Sequence, residues 1–330
     1  MTDPKSGRAP TPGATLEPAR EIAPGVHLVD TGYVRPWLAA SYVVRGGDSA
    51  AVVETGSATA VPRILAALEA ARIRREEVAW VVVTHVHLDH AGGAGALLAE
   101  LPRARLAVHP RGARHLVDPS KLVAGTMAVY GEARFKALYG TLVPAPAERV
   151  TEAPDGFEID LGGRVLRCLD APGHAKHHFV VWDEASRGFV TGDAFGLSYR
   201  ELDGPRGPFF FPTTTPVQLD PPALHATVAR MLSHQPRRMY LTHYGMVEGD
   251  VGAWAGTLLR GLDEHVRIAR AAPAGPGRHQ AIKDGLRGQL RAAIAEHGSP
   301  IGMDRAVALF EDDLELNAQG LGVWLDGQGR

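Results

Sequence analysis

The stretch "VVVTHVHLDHAGGAG", Val81 to Gly95, constrains this chain more than any other. Three histidines and an aspartate (His85, His87, Asp89 and His90) fall within six residues, directly after an apolar run. The apolar run "EVAWVVVTH" reads as a buried strand, and "GAGALLAELP" behind the cluster reads as a helix. Small residues in "AGGAG" allow close backbone packing where the loop coils into that helix. Along an extended or turning segment, His85 and His87 can point the same way. A buried group of imidazoles and carboxylates is tolerable only when paired or metal-bound. The fold must therefore bring partners to the end of this strand.

Three later segments offer them. "DAPGHAKHH" places His174 after a strand and a Pro-Gly turn, "FVTGDAFG" places Asp193 at a strand end, and "YLTHYG" places His243 at another. Each is a β run, then a ligand-type residue, then glycine or a loop, and strand ends on one side of a sheet can converge on one point.

The pattern around these segments has two β-rich halves. "GVHLVDTG", "ASYVVRGG" and "SAAVVETG" predict an antiparallel meander, and "ATAVPRILAALEAARI" a helix packed on it. The segment from Arg111 to Val150 reads as helical, with Tyr130, Phe135 and Tyr139 as apolar anchors. "GFEIDLGGRVLRCLDAPGH" predicts a hairpin turning at Gly162-Gly163, and "HFVVWDEASRGFVTGD" another near Ser186-Arg187. "PPALHATVARMLSHQ" is a helix and "RRMYLTH" a strand. Two β-rich halves, each followed by helices, predict an α+β fold: a four-layer αββα sandwich over residues 23–250. Residues 251–330 read as a C-terminal helical extension, the last part of it, "GMDRAVALFEDDLELNAQ", as a single helical run. The Pro- and Gly-rich residues 1–22 read as a disordered tail.

Composition narrows the function classes. Of 330 residues, 45% are hydrophobic and 22% charged, and the formal net charge is −2. No basic block gathers phosphates, so nucleic acid is not the expected partner. No apolar run reaches the roughly 20 residues of a membrane helix, and the N-terminus has no hydrophobic signal region. The expected setting is cytoplasmic, with a small-molecule substrate and room for a homodimer. The single cysteine, Cys168, lies in a strand pattern and is expected in the core.

Taken together, His-x-His-x-Asp-His followed by His, Asp and His resembles the metallo-β-lactamase superfamily, in particular its glyoxalase II-like branch. The resemblance covers about Gly25 to Gly252. It implies that His85, His87 and His174 bind one metal, that Asp89, His90 and His243 bind a second, and that Asp193 bridges both. Two divalent ions are implied, zinc first, with iron or manganese as alternatives. Ions roughly 3.5–4 Å apart hold a bridging water whose pKa falls toward ~7, giving a hydroxide nucleophile. Asp89 is then expected to orient that nucleophile and to move a proton to the leaving group. His178 is expected to support the ligands without binding metal. Glu54 in "VVETG" stands where the family often has aspartate, and is expected to support the metal loop through hydrogen bonds of altered geometry.

Specific residues disfavour other branches. His87 stands where flavodiiron oxygen reductases carry glutamate, and Gly196 where acyl-homoserine lactonases carry tyrosine. The implied function is a metal-dependent hydrolase cleaving an ester, a thioester (perhaps acyl-CoA-like) or a lactone. A phosphodiesterase with the same centre is the enzymatic alternative. A metal-binding regulatory protein signalling through its C-terminal helices is the alternative of another class. For the substrate pocket, the aromatic, proline-rich segment after Asp193 offers Phe195, Tyr199, Arg200 and Phe210, and Tyr244 follows His243.

Overall fold

A computed structural model describes residues 19–215 and 217–328. The expected tail over residues 1–22 lies outside them as far as residue 18, and a strand already starts at Arg20. In chain order the elements are β1 (Arg20–Ala23), β2 (Val26–Asp30), β3 (Ala40–Arg45), β4 (Ala50–Val53), α1 (Val61–Ala70) and β5 (Val78–Val82). Next come α2 (Leu88–Ala91), α3 (Ala94–Glu100), β6 (Arg105–Val108), α4 (Pro110–Val117), α5 (Ser120–Tyr130), α6 (Glu132–Tyr139) and β7 (Val150–Glu152). The second half holds β8 (Phe157–Asp160), β9 (Val165–Asp170), β10 (Phe179–Asp183), β11 (Gly188–Val190), α7 (Pro221–Ser233), β12 (Arg238–Leu241) and β13 (Gly245–Glu248). Four helices close the chain: α8 (Val251–Ala271), α9 (Arg278–His297), α10 (Met303–Ala308) and α11 (Glu311–Gln328).

The strands form two sheets. One runs β1-β2-β3-β4-β5-β6-β7 and the other β13-β12-β11-β10-β9-β8. The expected meander is β2-β3-β4, paired antiparallel, while β5 and β6 join in parallel, each reached through a helix.

Side-chain alternation explains the layering. In and just after β5, Val81 and Val83 pack toward α1 and α3 with Ile64, Leu68 and Leu97, whereas Val82 faces the other sheet with Tyr42, Phe179 and Val181. In β10, Phe179 and Val181 enter the inter-sheet core, and Val180 and Trp182 pack outward with Leu224, Val228 and Met231 of α7. The chain is therefore an αββα sandwich, as its sequence pattern predicts. Cys168 is buried between the sheets.

The last helical run is broken in two, α10 and α11. The C-terminal helices share a core with the segment after Asp193: Leu197, Tyr199, Phe209 and Phe211 pack among Leu286, Leu290, Phe310 and Leu314. Among the described residues, no helix is long and apolar enough to cross a membrane.

Candidate metal centre

His85, His174, Asp193 and His243 follow the ends of strands along one edge of the sandwich, and His87, Asp89 and His90 stand at and in the short helix α2 that follows β5. β5 runs out through Val83 and Thr84 to His85, and the Thr84 carbonyl accepts the Phe179 N–H at 2.9 Å, tying this end to the second sheet. His87 precedes α2, and His90 closes its first turn by donating its N–H to the His87 carbonyl. The backbone turn thus separates the side chains into two directions, with His85 and His87 on one side and Asp89 and His90 on the other. Glycine is required where the chain then packs, since a Cβ on Gly95 would stand 1.9 Å from the Val143 carbonyl oxygen. Gly192, at φ +48, has the same role before Asp193. A Cβ there would meet Thr84 Oγ1 at 2.4 Å and His178 Nε2 at 2.5 Å.

Two groups of donor atoms result from the expected ligands. His85, His87, His174 and Asp193 form the first and Asp89, His90 and His243 the second, while Glu54 also comes close to His85 and His90. His87 Nδ1 lies 2.9 Å from His85 Nε2 and 3.1 Å from His174 Nε2. Asp193 joins the groups: its Oδ2 is 3.3 Å from His174 Nε2, and its Oδ1 is 3.2 Å from His90 Nε2 and 3.4 Å from His243 Nε2. Asp89 Oδ2 stands 3.6 Å from His90 Nε2 and 3.5 Å from His243 Nε2.

These spacings fit a cation. Four donors about 2.0–2.1 Å from a tetrahedral ion lie about 3.3 Å from one another. Two facing atoms also lack any other partner: His90 Nε2 and Asp193 Oδ1 are buried without a hydrogen bond. Such orphans are costly unless an unseen group satisfies them. The His/Asp/Glu cluster is thus compatible with divalent metal ions. His87 and Asp89 are partly exposed while His85, His90 and His174 are buried, so the cluster opens to solvent on the His87 and Asp89 side.

Hydrogen bonds behind the rings fix which nitrogen faces inward. Glu54 Oε1 takes His90 Nδ1 at 3.0 Å, and the same carboxylate accepts Thr84 Oγ1, Thr84 N and Thr242 Oγ1. The backbone at Glu54 has φ +66, a strained conformation held by this fully buried network. His243 Nδ1 donates to the Leu38 carbonyl at 2.9 Å. Thr84 Oγ1 lies 3.1 Å from His85 Nδ1. His178 lends support from behind, its Nε2 accepting the Asp193 N–H at 3.2 Å.

The electrostatics differ between the groups. Burial, reinforced by neighbouring imidazoles, holds His85 well below the ordinary histidine value. Burial also brings His174 down to about 3 and lowers His87, overriding the nearby carboxylates. Burial pushes His90 and His243 the same way, but Asp193 and Asp89 outweigh it at both, with Glu54 adding at His90, and raise both rings. Burial opposes the charge on Asp89, yet His90 and His243 hold it at about 2.

The expected substrate contacts fare differently. Phe195 and Phe210 pair edge to face in the core beneath α8 and are not free to line a pocket. Tyr199 is buried against Phe310, its hydroxyl donating to Asp313. Arg200 is buried and occupied, bonded to Ser198 O and Oγ and paired with Asp203 at 3.3 Å. Tyr244 is buried and stacks on Trp37. Phe195, Tyr199, Arg200 and Phe210 are buried because the segment after Asp193 is drawn inward by the C-terminal helices, and Tyr244 because it joins the inter-sheet core.

The residues beside the opening come from elsewhere. Leu88, between His87 and Asp89, packs with Phe135 and Tyr139, and Tyr33 and Tyr130 join that cluster. Tyr33 and Tyr139 share a hydrogen bond at 2.9 Å, and the Asp89 charge reaches all three phenols. Thr84 and Thr242, also missed, carried a legible signal: each directly precedes a ligand histidine at a strand end, in "VVVTH" and "YLTH".

Comparison with known proteins bears on the family and the fold. The family model of the metallo-beta-lactamase superfamily matches residues 34–243. The metallo-beta-lactamase fold-containing protein ST1585 of Sulfurisphaera tokodaii is 26% identical over 228 residues, 68% of this chain and 79% of the relative. A hydroxyacylglutathione hydrolase of Cupriavidus taiwanensis is 31% identical over 160 residues, which is 48% of this chain and 49% of that enzyme. The chain thus aligns with about half the length of that relative. Among solved structures, the metallo-beta-lactamase family protein TTHA1429 of Thermus thermophilus superposes with a TM-score of 0.65 at 19% identity, covering 93% of this chain and 95% of that one. That likeness speaks to the fold. With most of the sandwich inside the family match, and with its strand-end histidines and aspartates gathered as described, this chain belongs to the metallo-beta-lactamase superfamily.

Proposed function

We propose that this chain is a dinuclear metal-dependent hydrolase that cleaves an ester, thioester or lactone in a small-molecule substrate. The observation that carries the reading is the two-sided placement of Asp193, one oxygen on His174 and the other on His90 and His243. A carboxylate so placed suits two ions sharing one ligand. Similarity to hydroxyacylglutathione hydrolases supports a thioester or a related acyl bond.

His85, His87 and His174 would hold one ion and Asp89, His90 and His243 the other, with Asp193 between them. When bound, two such ions supply an activated water and polarise the scissile carbonyl. The chain's own residues do the rest. Glu54 and the Leu38 carbonyl hold His90 and His243 with Nε2 inward. Asp89 is ionised and partly exposed, so it can accept a proton from the attacking water and pass it to the leaving group. Tyr33 and Tyr130, partly buried and backed by Tyr139, stand beside the opening, where an acyl or thiol portion can lie. Zinc is the first choice of metal, and iron or manganese accept the same donor set.

The test is metal analysis of the purified protein, followed by a panel of esters, thioesters, lactones and bis-(p-nitrophenyl) phosphate. Two metal equivalents per chain and turnover of a carbonyl substrate are expected. Cleavage of the phosphodiester alone would move the reading to a phosphodiesterase. Unchanged hydrolysis in Asp89→Asn and His243→Ala on every active substrate would sink the dinuclear mechanism.

A further inference from the structure

The bridging aspartate is held from a direction that the ligand set does not suggest. Asp193 opens a segment that runs beside residues 211–214. Leu197 N donates to the Phe211 carbonyl at 2.9 Å, and Phe211 N returns to Leu197 at 3.0 Å. Thr213 Oγ1 then donates to the carbonyl of Asp193 itself, at 3.1 Å. The residues on either side of Thr213 are gripped by α11. Thr214 N donates to Asn317 Oδ1 at 2.6 Å, Asn317 Nδ2 donates to the Pro212 carbonyl at 3.0 Å, and Thr214 Oγ1 reaches the Asn317 carbonyl at 3.3 Å. The orientation of the amide is fixed, because a backbone N–H only donates and a carbonyl only accepts.

Packing alone gives no reason for this amide. Asn317 is 1% exposed, and Leu314, Ala318 and Leu321 around it on α11 are apolar core. Burying an amide there is costly unless both ends are satisfied, whereas an apolar residue would carry no such cost. Gly320, three residues on and on the same face, brings the helix backbone against the same loop. A Cβ on Gly320 would stand 1.7 Å from the Thr214 carbonyl oxygen. One face of α11 is therefore shaped to residues 212–215, and those residues hold Asp193.

We propose that Asn317 and Thr213 form a strut by which the C-terminal helix α11 positions the Asp193 carboxylate between the two metal sites. Both are positioning residues of the metal centre, and the inference rests on the dinuclear reading above. A carboxylate that must serve two ions at once tolerates displacement less than one serving a single ion. Loosening the strut should therefore weaken metal binding before it unfolds the chain.

The full chain, loaded with zinc, is compared as wild type, Thr213→Val, Thr213→Ser and Asn317→Leu. Leu290→Val, a packing change in α9, serves as the control. Zinc per chain and zinc affinity in competition with a chelator are the readouts, with thermal melting alongside. Thr213→Val and Asn317→Leu should lose about 10–100-fold in affinity for the weaker-held zinc. Thr213→Ser, which keeps the hydroxyl, should bind as wild type, and Leu290→Val should melt earlier with zinc affinity unmoved. Wild-type affinity in Thr213→Val overturns the strut. So does an equal loss in Leu290→Val, because affinity would then merely follow stability. If Asn317→Leu does not fold, Thr213→Val decides the matter, since it leaves the α11 contacts in place. A wild-type chain that takes up neither zinc, iron nor manganese would sink the dinuclear reading, and the strut with it.

Discussion

His85, His87 and His174 stand on one side of Asp193 and meet mostly other imidazoles, whereas His90 and His243 stand on the other and meet carboxylates. The first group is depressed by burial, which neighbouring rings reinforce at His85 and which outweighs the nearby carboxylates at His87 and His174. The second is raised because Asp193 and Asp89, with Glu54 at His90, outweigh the same burial. Burial favours the neutral ring throughout the first group, while the facing acids favour the protonated ring at His90 and His243. A metal entering the second group therefore competes with protons more than one entering the first. One cluster of seven side chains thus contains two sites of different character.

The most damaging way to break the comparison is to remove the residue common to both sides. Asp193→Asn leaves one oxygen for two groups and should lower kcat/KM by about 10²–10⁴-fold. Metal analysis should find one equivalent or less; two retained equivalents would show that Asp193 does not bridge.

Glu54 meets the second group directly, at His90, and the first only through Thr84, which lies against His85. Glu54→Gln should weaken the second site by about 10–100-fold and the first by less. Chelator competition that finds both sites weakened equally would erase the distinction.

Acid should separate the sites without mutation. Protons compete with metal below each ring's own pKa, so the raised rings yield first as pH falls and the lowered rings last. Zinc per chain after dialysis across pH 7 to 4 should fall in two steps. A single step would mean that the groups titrate as one.

His265 offers a reference away from the centre. It is fully buried, both ring nitrogens lack partners, and burial holds it at about 3. Its folded value lies below the unfolded one, so the unfolded chain takes up the proton first and stability falls as pH drops from about 6.5 toward 3. His265→Leu should add about 1–3 kcal/mol at pH 7 by removing unsatisfied nitrogens. It should also flatten the acid loss, as read by urea midpoints at pH 7 and 5. If the metal-free protein stays as acid-sensitive as before, the loss belongs to the first group.

The smallest effect belongs to the ion pair Arg134–Asp312, 3.0 Å between α6 and α11 and more than half exposed at both ends. Asp312→Asn should change stability by less than about 1 kcal/mol. A larger change in thermal melting would mean that α5 and α6 depend on the C-terminal helices.

The side chains that gather at the candidate centre were legible in the sequence because metal chemistry uses few residue types and strand ends bring them to one edge. "THVHLDH" names four of the seven, and the segments around His174, Asp193 and His243 repeat the form of β run, ligand and turn. The sandwich was legible for a similar reason: alternation in strands and helical spacing state which faces are buried. The substrate contacts were not. Phe195, Tyr199, Arg200, Phe210 and Tyr244 look alike as core or as pocket, since an aromatic or an arginine in a loop carries no sign of which way it turns. The packing of α8 to α11 decided that the segment after Asp193 lies inside, and the packing of the two sheets decided it for Tyr244.

By itself the sequence determined the layered pattern of strands and helices and which segments carry ligand-type side chains, because both are written in local pattern and residue chemistry, while the family entered through resemblance. The tertiary structure alone decided the contrast between the two groups, the residues beside the opening and the grip of α11 on residues 212–214. Each of these depends on side chains far apart in the chain, and their distances, burial and charge exist only after folding.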